Sequence, residues 1–452
     1  MTSITRFEIS GLHGHKNVDL RLKDNTMILV GENGAGKTTV LHMLYYLLSG
    51  QWASVARYTF KAVAITIGSK RHELAYADFQ KPFQHLDKRF LHRLPPHVRH
   101  RILTLMEEKE GRLVTPELEA ICHQYDIPLP YLLHNLEMFE HSPHKSDPLR
   151  KTLDAIAGAL DVQLLYLPTY RRIEQELNLI FKGLDERELR NRREMLSAKR
   201  GRDAYVELIE FGMKDVEGAL HNTLTQLSTF ARENLNNLTF GYLGDIVEQQ
   251  YSSVDLKSIK DASDQTISNI LDRIQEHILS SANKSHLRAI IEGVKTDAPQ
   301  TEHTQVICHY FSKLMAFQRE LESKEAPISK FCGVCNEYMV DKEFRYNSSD
   351  FSFKIQAKDS DASSPDIKLH HLSSGEKQIV SLFSHLYLSG GANYFVLIDE
   401  PELSLSVPWQ RRFLVDIRNA GFCAGLIAVT HSPFIYDNEL RPYAHGLGEF
   451  MV

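Results

Sequence analysis

Apolar and polar residues alternate over Ile4-Thr5-Arg6-Phe7-Glu8-Ile9 and again over Val18-Asp19-Leu20-Arg21-Leu22, the pattern of two half-buried strands. Met27-Ile28-Leu29-Val30 is apolar at every position, as a strand covered on both faces requires, and it runs directly into a Gly-rich turn. Residues 38–48 are apolar on most faces and Ser49-Gly50 follows, which predicts a helix buried in an α/β core and ended there. Residues 62–67 and 73–76 predict a small antiparallel hairpin. Residues 81–160 read as helical and loop-rich, broken at Pro95, Pro96, Pro128 and Pro130. Leu164-Leu165-Tyr166-Leu167 returns to the sheet, and Pro168-Thr169-Tyr170-Arg171-Arg172 leaves its end.

From about residue 203 to 330 the periodicity is helical. Ile267-Ile270-Leu271-Ile274-Ile278-Leu279 forms one stripe and Phe311-Leu314-Met315-Phe317-Leu321 another. Neither sustains heptads, so the pattern predicts a short helical arm rather than a long coiled coil. Phe351-Ser352-Phe353-Lys354-Ile355 is a further strand, followed by a polar loop at 359–365. Two more apolar runs close the chain, Phe395-Val396-Leu397-Ile398 and Gly425-Leu426-Ile427-Ala428-Val429. The division this suggests is an N-terminal lobe at 1–80, a helical insertion at 81–160, a lid and basic stretch at 161–202, an arm at 203–335 and a C-terminal lobe at 336–452.

Composition agrees with a globular chain of several units: 452 residues, 42% hydrophobic and 24% charged, without low-complexity tracts. The net charge of −6 gives no global reason to bind nucleic acid, though it is silent on local patches. Met1-Thr2-Ser3-Ile4 has no basic-then-apolar signal pattern, and no apolar run reaches the roughly 18–20 residues that span a bilayer. A soluble, cytoplasmic protein with no membrane partner is expected. The five cysteines, Cys122, Cys308, Cys332, Cys335 and Cys423, are odd in number and scattered, which suits reduced thiols. Cys332 and Cys335 have the spacing of half a zinc site, but no second pair follows and the segment reads as helix. Packing thiols are the better reading.

The chemistry sits at the two ends. Gly31-Glu32-Asn33-Gly34-Ala35-Gly36-Lys37-Thr38-Thr39 matches the phosphate-binding loop, with an apolar strand before it and a helix after it. Its glycines let consecutive N–H groups turn inward at a helix N-terminus, Lys37 reaches the phosphates and the Thr38 hydroxyl suits Mg²⁺. Nucleotide contacts are therefore expected from Asn33, Gly34, Gly36, Lys37, Thr38 and Thr39, with ATP and Mg²⁺ bound. Asp399 and Glu400 stand at the end of the apolar 395–398 strand, where α/β ligands sit. Asp399 suits the Mg²⁺ shell and Glu400 the base that orients the attacking water. His431 ends the other strand and, in this order, reads as a switch histidine on the γ-phosphate.

Leu372-Ser373-Ser374-Gly375-Glu376-Lys377-Gln378 resembles the signature loop of ABC-type ATPases, in particular the branch with the SMC, Rad50, RecF and overcoming-lysogenization-defect (OLD) proteins. The resemblance covers about 1–80, 160–172 and 340–435. It implies an α/β P-loop ATPase head assembled from both chain ends, with an inserted helical lid and a short helical arm. It also implies that Ser373, Gly375 and Glu376 reach a nucleotide held by a second subunit, so that the protein is at least a dimer. Glu402-Leu403-Ser404-Leu405-Ser406 matches the D-loop position, with Ser404 its central residue; relatives often have His where Ser406 stands. The glutamine-loop counterpart is either Gln80 or, preferably, the lid with Arg171 and Arg172.

OLD-type nucleases continue into a TOPRIM domain after the switch histidine, and only 21 residues follow His431 here. No HNH or HExxH pattern is present either, so an ATPase without its own nuclease is expected. In layout the chain resembles stand-alone ATPases of bacterial anti-phage systems, nearer to the PARIS AriA-like type than to the Septu PtuA-like type. That resemblance implies a homohexamer holding a separate effector nuclease, of TOPRIM type in the first case and HNH type in the second. A RecF-like DNA-repair ATPase is the alternative. Residues 187–202, with Arg187, Arg190, Arg192 and Arg193, and residues 88–101 are basic stretches. Each is either a solvated helix face or a surface for a polyanion, which would be nucleic acid or an acidic phage trigger protein.

Overall fold

The computed structural model describes residues 3–32, 34–79, 96–108, 118, 120–121, 124, 148–160, 162–168, 205–207, 213–253, 256–274, 279–296, 301–359, 365–390 and 393–451. Its strands are β1 (Ile4–Leu12), β2 (Lys16–Arg21), β3 (Thr26–Val30), β4 (Ala62–Ile67), β5 (Lys70–Ala75), β6 (Gln163–Leu167), β7 (Tyr205–Glu207), β8 (Lys342–Asn347), β9 (Ser352–Ala357), β10 (Tyr394–Asp399), β11 (Cys423–Thr430) and β12 (Ala444–Gly446). The helices used below are α1 (Lys37–Leu48), α2 (Pro148–Ala159), α3 (Met213–Val247), α4 (Asp264–Arg273), α5 (Ser281–Lys295), α6 (Glu302–Tyr338), α7 (Ser374–Leu388) and α8 (Val407–Arg418). They fall into two compact units, Met1–Glu210 with Ala392–Val452, and Phe211–Gly391. The boundary after Gly391 lies inside the 336–452 stretch that sequence suggested as one lobe.

The first unit is built on a six-stranded parallel sheet in the order β12-β3-β11-β10-β6-β7 and a four-stranded antiparallel sheet in the order β2-β1-β4-β5. Every residue of β10 is buried, which explains its unbroken apolar run; only its last position, Asp399, is charged. In register, Val30 of β3 lies beside Thr430 of β11, Val429 beside Asp399, and Ile398 beside Leu167 of β6. Four chain segments therefore leave the sheet at one edge, the C-terminal ends of parallel strands. β1 and β2, the β4–β5 hairpin, α1 and α2 share the core: Phe7, Ile9, Leu20, Leu44, Ile65 and Ile156 are all buried. Each such side chain stabilises the fold by about 1.5–3 kcal/mol. Asn25 joins the two sheets, its Oδ1 accepting from Ile4 N–H at 2.8 Å and its Nδ2 donating to Ala424 O at 3.1 Å. Gly425 is required by a close approach, since a Cβ there would lie 2.4 Å from the Phe395 ring.

The second unit contains the arm. α3 and α6, roughly 50 Å each at ~1.5 Å per residue, run antiparallel: Tyr242 packs on Tyr310 with ring centroids 4.7 Å apart, and Phe230 packs on Phe317 at 6.4 Å. Against this stretch of α6, Ile259, Ile267, Ile270, Leu271, Ile291, Val294, Phe311 and Met315 form a separate small core. The predicted stripe through 267–279 is cut short, because α4 ends at Arg273 and Ile274 is already extended. Cys332 and Cys335 are buried in α6, where burial pushes the Cys332 thiol up to about 12 and also raises the Cys335 thiol well above its ordinary value; thiolate chemistry is disfavoured there. No helix among the described residues is long and apolar enough to cross a membrane.

Candidate functional site

The turn between β3 and α1 supplies the first part of the site. Gly34 (φ 79°) and Gly36 (φ 99°) take left-handed backbone that a side chain would strain, and Gly36 is the N-cap of α1. The N-terminal N–H groups of α1 thus open at the C-terminal edge of the sheet, a polarity that favours anions. Lys37, the first residue of α1, is buried, and its Nζ donates to the carbonyls of Gly31 (2.7 Å) and Glu32 (2.9 Å).

Strands β10 and β11 bring the second part. Asp399 is buried at the end of β10 and accepts from Thr38 Oγ1 at 3.1 Å. Glu400, next in the chain, adopts φ 49° and donates its N–H to Val429 O at 2.9 Å, which turns its side chain off the strand line. Its Oε1 lies 3.7 Å from His431 Nε2. Both ring nitrogens of His431 lie 3.4 Å from Lys37 Nζ. Lys37, Thr38, Asp399, Glu400 and His431, drawn from three strand ends, therefore meet at one place.

Electrostatics follow from this crowding. Burial pushes the Lys37 ammonium down, and the carboxylates of Glu400, Asp399 and Glu402 push it back up. Burial raises the Glu400 carboxyl above the ordinary range, with Asp399 and Glu402 adding repulsion while His431 and Lys37 oppose them. A raised carboxyl is a stronger proton acceptor in its ionised form. The Thr38 hydroxyl and the buried Asp399 carboxylate form a pair of hard oxygen donors in hydrogen-bond contact, which fits Mg²⁺.

In the second unit, Ser373 is the exposed N-cap of α7 and Gly375 is buried in its first turn. Glu376, also expected to reach a second subunit's nucleotide, turns its carboxylate toward its own chain. Its Oε2 accepts from Ser373 N–H at 2.7 Å, completing a capping box, and its Oε1 pairs with Lys342 Nζ of β8 at 2.9 Å. The physical reason is the unpaired N–H at a helix start, which this carboxylate satisfies. Ser404 is exposed at φ 64°. Thr39 is half-buried in the first turn of α1. Asn33, Gln80, Arg171, Arg172, Arg187, Arg190, Arg192 and Arg193, as well as the basic stretch 88–95, lie outside the described residues.

Sequence reasoning missed Glu402, Gln410 and Lys342. Glu402 accepts from the backbone N–H groups of His431 and Ser432, and Lys342 holds Glu376. The signal for Glu402 was its place two residues past Glu400; nothing local marks the other two.

The profile of the AAA ATPase domain family matches residues 3–436. Among solved structures, an Smc head domain with an extended coiled coil, bound to the C-terminal domain of ScpA and derived from Pyrococcus furiosus, is similar at 15% identity and TM-score 0.36, covering 96% of this chain and 91% of that one. A Pyrococcus yayanosii Smc head with coiled coil and joint is similar at 16% identity and TM-score 0.31, covering 96% and 93%. The recombination mediator RecF is similar at 9% identity and TM-score 0.28, covering 95% and 92%. Comparison with curated proteins gives no match. The chain belongs to the AAA ATPase domain family, with an α/β fold that carries the phosphate-binding turn between β3 and α1.

Proposed function

We propose that this member of the AAA ATPase domain family hydrolyses ATP at the site formed by Lys37, Thr38, Asp399, Glu400 and His431. The observation that carries this reading is the convergence of a phosphate-binding turn, a hydroxyl–carboxylate pair and a basic carboxylate at one sheet edge. Lys37 and the N-terminal N–H groups of α1 bind the phosphates. Mg²⁺, held by Thr38 and Asp399, supplies charge neutralisation of the phosphates when bound. Glu400 orients the attacking water and takes its proton. His431, within reach of Lys37 and Glu400, donates to the γ-phosphate. The direct test is phosphate release from MgATP by the purified protein, compared with Lys37→Ala. Equal rates in the two would overturn the assignment.

At a finer level, we propose that the protein is the sensor and scaffold subunit of a two-component, PARIS-like anti-phage complex that holds and releases a separate TOPRIM nuclease. The support is the resemblance of Leu372–Gln378 and of the Glu402–Ser406 stretch to that branch of ABC-type ATPases, together with the arm between the two lobes. Arg187, Arg190, Arg192 and Arg193 are the proposed trigger surface. Replacing these four with Glu should abolish the response to phage while basal hydrolysis and nuclease binding persist. Co-purification with an HNH nuclease would favour the Septu-like reading, and tight binding to duplex DNA without a nuclease would favour a RecF-like clamp.

A further inference from the structure

Beyond Glu400 the chain folds back onto the end of β11. Glu402 Oε1 accepts from the N–H of His431 at 2.7 Å and of Ser432 at 3.1 Å, and its Oε2 accepts from the Thr430 hydroxyl at 2.8 Å. Gln410 on α8 adds a second tie. Its Nε2 donates to Leu405 O at 2.9 Å and more weakly to Glu402 O at 3.5 Å, and its Oε1 accepts from Ser432 Oγ at 2.6 Å. Two side chains thus join the turn after β10 to the turn after β11.

The tie falls where the backbone needs it. Glu400 and Ser404 both take left-handed backbone, at φ 49° and 64°, and neither is glycine. Such conformations persist when the surroundings over-determine them. β11 ends at Thr430, so the N–H groups of His431 and Ser432 extend past the ladder and are met by a carboxylate. A carboxylate is an acceptor on both oxygens, which suits three converging donors. The His431 side chain in turn stands 3.4 Å from Lys37 Nζ and 3.7 Å from Glu400 Oε1.

We propose that Glu402 and Gln410 are positioning residues that hold the backbone of His431, and through it the imidazole, against Lys37 and Glu400. This rests on the reading of the site as an ATPase centre. Neither residue touches the reacting atoms in this scheme: Gln410 acts through His431, and Glu402 acts through His431 and, more weakly, through its charge on Lys37 and Glu400. Loss of the tie lets His431 drift, and a misplacement of about 1 Å costs roughly a hundredfold in rate.

The experiment is a double-mutant cycle on full-length protein with MgATP. Glu402→Ala should lower kcat about a hundredfold, while nucleotide affinity stays equal or tightens by less than about threefold, because Lys37 and the N-terminal N–H groups of α1 keep their places and only one carboxylate charge near Lys37 is removed. In a His431→Ala background the same replacement should cost less than about threefold, since its target is gone. Glu402→Gln should recover most of the rate: its oxygen still accepts from both N–H groups, and the Thr430 hydroxyl can rotate to accept from the new amide. An equal loss from Glu402→Ala in both backgrounds overturns the proposal. If Glu402→Ala does not fold, Gln410→Ala takes its place in the cycle under the same criterion. Hydrogen exchange of the 431 and 432 amides provides a readout independent of hydrolysis. Exchange at least about tenfold faster in Glu402→Ala supports the tie even if the wild type turns over no ATP, which would sink the ATPase reading alone; unchanged exchange refutes the tie.

Discussion

Replacing Glu400 with Gln separates chemistry from binding at this site. The substitution keeps the size of the side chain and leaves the backbone anchor intact, since the Glu400 N–H to Val429 O bond at 2.9 Å does not involve it. What is lost is a proton acceptor and one negative charge. General-base catalysis contributes about 10²–10⁴-fold, which at ~1.36 kcal/mol per decade is roughly 3–5 kcal/mol of barrier. The raised Glu400 carboxyl, half-buried near Asp399 and Glu402, makes this base stronger than an ordinary glutamate, so the loss should fall in the upper part of that range. Charge works the other way on binding. Lys37 has three carboxylates around it, Glu400, Asp399 and Glu402, and removing one lessens repulsion toward an incoming polyphosphate. Nucleotide affinity should therefore stay equal or tighten while kcat falls by about a thousandfold or more. Misfolding would instead lower rate and affinity together. The assay is single-turnover phosphate release with saturating MgATP, paired with titration of a fluorescent ATP analogue. Hydrolysis at the parental rate would show that Glu400 is not the base. Affinity lost in parallel with rate would show that the variant damaged the site rather than its chemistry.

Thr38→Ala removes one of the two oxygen donors that meet at Asp399, and the Mg²⁺ concentration for half-maximal hydrolysis should rise by about tenfold or more; an unchanged Mg²⁺ requirement would place the ion elsewhere. Mixing Lys37→Ala with Ser373→Arg subunits should restore part of the activity if each site takes Ser373 from a second copy, and no recovery from subunits shown to co-assemble would count against a composite site. His385, buried in α7, has its imidazole pushed down to about 4 by burial, so the unfolded chain binds more protons than the folded one between roughly pH 6.5 and pH 4. Stability from keeping it neutral is complete above about pH 6.5 and is lost on acidification, by at most about 3 kcal/mol at ~1.36 kcal/mol per unit; His385→Gln should flatten the melting temperature across that window. Arg273→Met strands Glu325, which is buried and pairs with Arg273 Nη2 at 2.6 Å and with the Tyr346 hydroxyl at 2.8 Å. The Tyr346 bond survives, so the cost should be near the lower end, about 3 kcal/mol, and Arg273→Met with Glu325→Leu should recover part of it in thermal melts.

Much of the first unit is legible in the sequence, because its elements are written locally. A fully apolar Met27–Val30 followed by glycines and Lys37 specifies a covered strand, a left-handed turn and a helix within a dozen residues, and that is what forms. The apolar run ending in Asp399 and Glu400 likewise gave β10 and its two acids. Periodicity was less reliable where packing decides the end of a helix: the apolar pattern through Ile274 and Leu279 promised more of α4 than survives beyond Arg273. It was silent on partners. Glu376 looked like a nucleotide contact by its place in the signature stretch. The same Ser-x-x-Glu spacing also makes a capping box, which forms within the chain, and its pairing with Lys342, 34 residues away, has no local signal. Glu402 sits in a stretch whose role was read from its resemblance, yet its donors are 28 to 30 residues downstream. They come within reach only because β10 and β11 lie parallel and in register, with Asp399 beside Val429. A strand's own sequence encodes its burial and its length, since side-chain alternation is a property of neighbours along the chain. Which strand lies beside it is set by crossovers through α8 and by the packing of Gly425 against Phe395, long-range events that place Lys37, Glu400, Glu402 and His431 around one point.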